Sequence, residues 1–261
     1  MTITIGLVAN VYQEVNALPG WLETHVPFFD DVRVLHSGPG GKRSTDGTIE
    51  LLESWNIPVE FTDIQEGFGV VRTKALRMSP CDYVMLLDAD ERFYSNCKII
   101  NVYGEGTSQD QVDKILSSYH YRKGNKPDWD VISTLGKDLK TSYGDYFNQG
   151  DLLHYMLKVG NSSGKLDALV AVRRHWHDIK MTKPCQDWRF IPDWQMRIVR
   201  NDPSIYFDPS VKMHEKIVGV HNVDYGNVSS GPFFDHMHFF FKRMEEDQRA
   251  EDLTIYDSIS K

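Results

Sequence analysis

The chain has 261 residues, 41% hydrophobic and 25% charged, with a formal net charge of -8. That is enough sequence for one domain, or one domain with an appendage, around a sizeable core. An acidic chain carries no positive field to hold a nucleic-acid backbone, which argues against DNA or RNA as the main partner. Its cysteines, Cys81, Cys97 and Cys185, form no CxxC pair, so neither a zinc ribbon nor a redox pair is suggested, and their usage fits a reducing cytosol. The opening "MTITIGLVAN" turns polar too early for a secretory signal, and no run approaches the ~20 apolar residues of a membrane span, so a cytoplasmic protein is expected.

"ITIGLVAN" (3–10) is β-branched and apolar, the pattern of a strand covered on both faces. Leu18, Trp21, Leu22 and Val26 recur at helical spacing, and Pro19 marks the start of that helix. "DVRVLHS" (31–37) is the next strand, "GPGGKRSTDG" a loop, and "GTIELLESW" a helix capped by Thr45 or Asp46. "VEFTDI", "FGVVRTKALRMS" and "DYVMLLDAD" continue as strand, helix and strand. This alternation predicts a parallel sheet with helices on both faces, with ligands bound at the carboxyl ends of its strands. From about 93 to 165 the pattern weakens, with a helix at "SQDQVDKILSSY", a strand at "DVISTL" and a helix at "YFNQGDLLHYMLKVG". The Tyr- and Gly-rich stretch 139–160 is either an acceptor lid or a structural insertion. "LDALVAVRRHWH" (166–177) and 194–218 read as strands again, and "FFDHMHFFFKRMEEDQRAEDL" as a closing helix.

The fourth strand runs straight into Asp88, Asp90 and Glu91. Like charges this close raise each other's pKa unless something positive sits among them, such as a lysine or a metal ion. On an extended strand Asp88 and Asp90 share one side and converge. Mg²⁺ and Mn²⁺ are hard cations that bridge one or two carboxylates to substrate phosphates.

Four stretches together resemble a family 2 inverting glycosyltransferase of the GT-A fold, in its lipopolysaccharide-core-like branch: "GPGGKRSTDGTIELLE", "FGVVRTKALRMSPCDYVMLLDADERF", "DWQMRIVRNDPSIYFDPSVKMHEKIVG" and "FDHMHFFFK". The resemblance implies an α/β, mostly parallel central sheet in a single domain. Residues 1–95 would bind the nucleotide sugar, 96–165 form an insertion or lid, and 166–261 bind the acceptor and end in a helix. It implies a nucleotide-diphospho-sugar donor, a UDP-sugar first among them, Mn²⁺ or Mg²⁺, and a saccharide acceptor. Carried over residue by residue, Ala9, Asn10 and Glu14 line the nucleobase pocket, Arg72 and Lys74 lie near the diphosphate, Asp88 contacts ribose or metal, and Asp90 ligates the metal. His214, His236 and His238 are candidates for a further ligand. Where the family has an aspartate before its "GS", this chain has His36.

Asp193, ahead of "WQMRIVR", is the candidate general base for the acceptor hydroxyl, with Asp187 and Glu215 as rivals. His175, Trp176 and His177 are either an acceptor platform or core. The alternative functions are a sugar-1-phosphate nucleotidyltransferase and a non-catalytic carbohydrate- or nucleotide-binding module. The first lacks its Gly-rich, basic loop after the first strand, where this chain reads "ANVYQEVN". The second does not account for Asp88, Asp90 and Asp193 together. A nucleobase glycosylator would need more positive charge.

Overall fold

Strand β1 (Ile5–Val11) is buried along both faces because its alternate side chains serve two cores. Ile5, Leu7, Ala9 and Val11 join one cluster and Val8 the other. In the computed structural model, which describes residues 3–94, 166–176, 193–211, 216–225 and 233–237, β1 lies between two parallel neighbours, β2 (Asp31–His36) and β4 (Tyr83–Leu86). β3 (Val59–Phe61) adds in parallel beyond β2. Helices α1 (Leu18–His25) and α2 (Thr48–Ser54) give Leu18, Trp21, Leu22 and Leu52 to the first cluster. Helix α3 (Phe68–Met78) gives Val71, Ala75 and Leu76 to the second, with Val84 and Leu86. The expected doubly covered parallel sheet is therefore present.

Local chemistry differs from expectation at two places. The cap of α2 is Gly47, whose φ of 98° suits a residue without Cβ, rather than Thr45 or Asp46. Asp46 instead accepts the Thr48 N–H on Oδ1 and the Val15 N–H on Oδ2. Strand β4 stops at Leu86, so Asp88 and Asp90 are not strand neighbours. Residues 88–91 form a tight turn in which the Glu91 N–H donates to the Asp88 carbonyl at 2.9 Å and the Asp88 N–H to Glu91 Oε2 at 3.1 Å.

The turn leads into β5 (Glu91–Tyr94), and the later strands complete a mixed sheet of nine strands among the described residues, in the order β3-β2-β1-β4-β7-β6-β11-β5, with β10 (Val223–Tyr225) also on β6. β6 (Ala168–His175) and β7 (Asp193–Arg200) run antiparallel to each other, and β7 antiparallel to β4. β11 (Phe233–His236) is parallel to β6 and antiparallel to β5. "FFDH" is thus a strand and not the start of the closing helix; the rest of that helix, like the elements expected within 95–165, lies outside the described residues. A small pair, β8 (Tyr206–Phe207) and β9 (Ile217–Val218), sits on α3. A Cβ on Gly69 would stand 2.2 Å from the Asp208 carbonyl oxygen, so this close approach requires glycine.

His25 ties α1 to β5. Its Nδ1–H donates to the Trp21 carbonyl at 2.8 Å and its Nε2 accepts the Phe93 N–H at 2.9 Å. Burial, then the nearby Arg92 charge, lower its pKa from 6.5 to about 3. Between those values the unfolded chain binds a proton that the folded chain refuses, so stability falls as pH falls, by about 1.4 kcal/mol per unit for this residue. Urea unfolding of the parent should therefore weaken by about 2 kcal/mol more than that of His25→Gln between pH 6.5 and 5. Equal pH slopes in the two proteins would contradict the assignment.

Candidate active site at the carboxyl edge of the sheet

The parallel strands β1, β4, β6 and β11 end at one edge of the sheet, where the antiparallel β5 and β7 begin. That edge gathers Asn10, the turn 88–91, His175, Asp193 and His236. Open α/β sheets bind their ligands at such an edge.

The positive groups among the turn's acids are arginines from elsewhere in the chain. Arg72 of α3 donates from Nη2 to Asp88 Oδ1 at 2.6 Å, and Arg197 of β7 from Nη2 to Asp88 Oδ2 at 3.1 Å. Arg197 also reaches the fully buried Glu91 Oε1 at 2.8 Å, and Arg173 reaches the same oxygen at 3.3 Å. Burial pushes the Asp88 carboxyl up, but the Arg72 and Arg197 charges overcome it and hold the group below the usual carboxylate range. Arg197 was not foreseen. Met196 pairs with Val170 and Ile198 with Leu169, so Arg197 is the extra residue of a bulge. Such bulges re-aim a side chain out of the strand's alternation.

The series continues on the far side. Arg173 Nε donates to Asp193 Oδ2 at 2.8 Å, and His175 Nε2 contacts the same oxygen at 2.9 Å. Gln195 Nε2 donates to Asp193 Oδ1 at 2.5 Å. Burial raises the Asp193 pKa, but the hydrogen bond from His175, the Arg173 charge and Gln195 together drive it well below the usual range. Burial likewise pushes His175 below 6.5, against the weaker pull of Asp193. His175 Nδ1 then meets His236 Nδ1 at 3.0 Å, and His236 Nε2 stands 3.3 Å from Asp90 Oδ2.

That last spacing tests whether the residues suit a divalent cation. Two cis ligands of an octahedral ion at about 2.1 Å lie about 3.0 Å apart, close to what Asp90 and His236 already provide. A carboxylate oxygen and an imidazole nitrogen are also a donor set that Mn²⁺ accepts. Among the described residues no group of three potential ligands closes on one point, and His214 and His238 lie outside them.

On the donor side, Asn10 Oδ1 is buried at the end of β1 and has no hydrogen-bond partner among the described residues, as an acceptor kept for a ligand would be. The Ala9 side chain faces the core instead. The Glu14 main chain is anchored: its N–H donates to Thr48 Oγ1, and its carbonyl accepts from Ala17 and Leu18 at the start of α1. Lys74 does not join Asp88. It lies about 200° round α3 from Arg72 and binds Glu66 and Thr62. The "STDGT" side chains are spent on the loop after β1: the Gln13 N–H donates to Ser44 Oγ and Gln13 Nε2 to Thr45 Oγ1, with Asp46 and Thr48 holding residues 15 and 14. His36 belongs to this structure, its Nε2 accepting the Ser44 N–H at 3.0 Å. Trp176 is no exposed platform: it is buried and donates from Nε1 to Asp235 at 2.6 Å. His177, Asp187 and Glu215 are outside the described residues.

No family model matches the chain. Among solved structures it is similar to S. aureus TarS 1-349, with 13% identity and a TM-score of 0.40 over 95% of this chain and 73% of that one. It is also similar to glucosyl-3-phosphoglycerate synthase from Mycobacterium tuberculosis in complex with UDP, with 22% identity and a TM-score of 0.29 over 34% of each chain. A third is the mannosyltransferase PcManGT from Pyrobaculum calidifontis in complex with GDP-Man and Mn²⁺, with 20% identity and a TM-score of 0.29 over 36% of this chain and 29% of that one. A longer TarS structure is spanned over 20% of its length. These TM-scores are all below 0.5. No helix among the described residues is long and apolar enough to cross a membrane.

Proposed function

We propose that the chain is a metal-dependent inverting glycosyltransferase that moves a sugar from a nucleotide-diphospho-sugar, a UDP-sugar first, to a hydroxyl of a saccharide. The observation that carries this is Asp90 Oδ2 and His236 Nε2 standing at cis-ligand spacing beside the Arg72–Asp88–Arg197 cluster, on the carboxyl edge. The likeness of "STDGT" and "LDADE" to the family 2 segments supports the same reading.

In this reading Asn10 accepts a hydrogen bond from the nucleobase, and Arg72 and Arg197 face the diphosphate. Asp90 and His236 would hold Mn²⁺ or Mg²⁺, and the bound cation would supply the positive charge that offsets charge developing on the leaving nucleoside diphosphate. The acceptor oxygen attacks the anomeric carbon as the bond from that carbon to the phosphate oxygen breaks, and the hydroxyl proton passes to Asp193. Oδ2 of Asp193 is anchored by Arg173 and His175, whereas Oδ1 is held by the neutral amide of Gln195, which an acceptor hydroxyl can displace. Because its pKa is low, Asp193 is a weak base in the ground state and takes the proton late, when bond formation has made the hydroxyl acidic.

Incubating the protein with a panel of nucleotide sugars and Mn²⁺, and scoring released nucleoside diphosphate, tests the function: slow hydrolysis of one donor is expected, and none from any donor would count against it. Asp193→Asn keeps size and removes basicity. Turnover should fall by about 10²- to 10⁴-fold with donor affinity nearly unchanged. Loss of donor binding along with turnover would make Asp193 a donor-site residue instead.

A further inference from the structure

We propose that His175 is a positioning residue for the metal: it fixes the tautomer of His236 so that Nε2 carries its lone pair toward Asp90. This rests on the reading above that Asp90 and His236 hold a divalent cation.

The inference follows from the direction of each hydrogen bond along Asp193–His175–His236–Asp90. An ionised carboxylate only accepts, so the nitrogen of His175 that faces Asp193, Nε2, must carry its hydrogen. A histidine that ligates a cation through Nε2 keeps its remaining hydrogen on Nδ1, and that hydrogen needs an acceptor. A neutral ring protonated on Nε2 offers a lone pair at Nδ1. The group 3.0 Å from that lone pair is His236 Nδ1, which must therefore donate. His236 is left with its own lone pair on Nε2, pointing at Asp90 Oδ2 across 3.3 Å. Two acceptors facing each other repel unless a cation lies between them, and that is where a metal shared by both would sit.

The backbone supports this alignment. His175 and His236 are register partners on β6 and β11. The Trp176 N–H donates to the His236 carbonyl and the Met237 N–H to the Asp90 carbonyl, each at 2.9 Å. An outer partner that sets the ring orientation and protonation of a ligating histidine is a common requirement of metal sites. Here that partner is a second histidine, itself held by a carboxylate.

Mn²⁺ titrated into the full chain in the presence of UDP, with the free ion followed by electron paramagnetic resonance, tests the role. His175→Phe keeps a ring but cannot accept, and should weaken Mn²⁺ binding by about 10- to 100-fold. His175→Gln, whose carbonyl oxygen can accept from His236, should recover most of that loss. If His175→Phe binds Mn²⁺ as tightly as the parent, the inference is overturned while the metal site stands. A parent that binds no Mn²⁺ overturns both. A measurement on the unmutated protein does not depend on any variant folding. In chain labelled with ¹⁵N-histidine and saturated with UDP and diamagnetic Mg²⁺, two-bond ¹H–¹⁵N correlations should show His175 protonated on Nε2 and His236 on Nδ1. A His175 ring protonated on Nδ1, alone or in addition to Nε2, overturns the proposal.

Discussion

Asp90→Asn should abolish Mn²⁺-dependent binding of UDP and leave the chain folded. The fold is spared because Asp90 serves it through its main-chain carbonyl, which accepts the Met237 N–H and is unchanged in asparagine. The amide keeps the side chain's volume but removes the charge that faces His236 Nε2. Asp88 cannot take over, since its two oxygens are bound by Arg72 and Arg197. Removing an outer-shell partner of a metal costs up to about 100-fold in affinity, and loss of a charged ligand should cost at least that. Calorimetric titration of UDP with and without Mn²⁺ in parent and variant measures it. Equal affinities would mean that Asp90 does not hold the metal.

The largest loss of stability is expected at Asp235. Its carboxylate is fully buried and takes a two-pronged contact from Arg174, at 2.7 and 2.5 Å, together with the Trp176 indole N–H. Asp235→Ala strands a largely buried guanidinium and an indole N–H, and should cost about 3–5 kcal/mol in urea unfolding. The pair itself need not be stabilising. Replacing both partners, as Arg174→Met with Asp235→Leu, should restore much of the loss, because apolar groups of similar volume avoid the desolvation of two charges. A single variant within about 1 kcal/mol of the parent would mean that the site admits water. Asp235 precedes His236 on β11, so a loosened strand should weaken Mn²⁺ binding as well.

The first half of the sheet was legible because its strands are apolar runs separated by helical periodicity, and both signals are local. The turn at 88–91 was not. Its acids follow the apolar run without a glycine or proline to mark the break, and what closes it is the Glu91 carboxylate on the Asp88 N–H. "FFDH" read as helix because its strand character comes from pairing with β5 and β6, far away in sequence. The family resemblance placed Lys74 with Arg72 near the diphosphate, although residues two apart on a helix point to nearly opposite sides. Arg197 lies at a bulge that period-two alternation cannot show. Asp90 and His236 were both named from sequence, and the structure brings them together. His175 was in view only as part of an acceptor platform or of the core. Its place between His236 and Asp193 depends on the register of β6 with β7 and β11.

The central claim is that a divalent cation sits between Asp90 and His236 and serves a nucleoside diphosphate. The most direct measurement is an anomalous-difference map from crystals of the chain grown with Mn²⁺ and UDP. It should show one strong peak within about 2.3 Å of both Asp90 Oδ2 and His236 Nε2, with the diphosphate completing its shell on the side of Arg72 and Arg197. A peak bound by other residues, or bound UDP with no metal at this pair, would contradict the account.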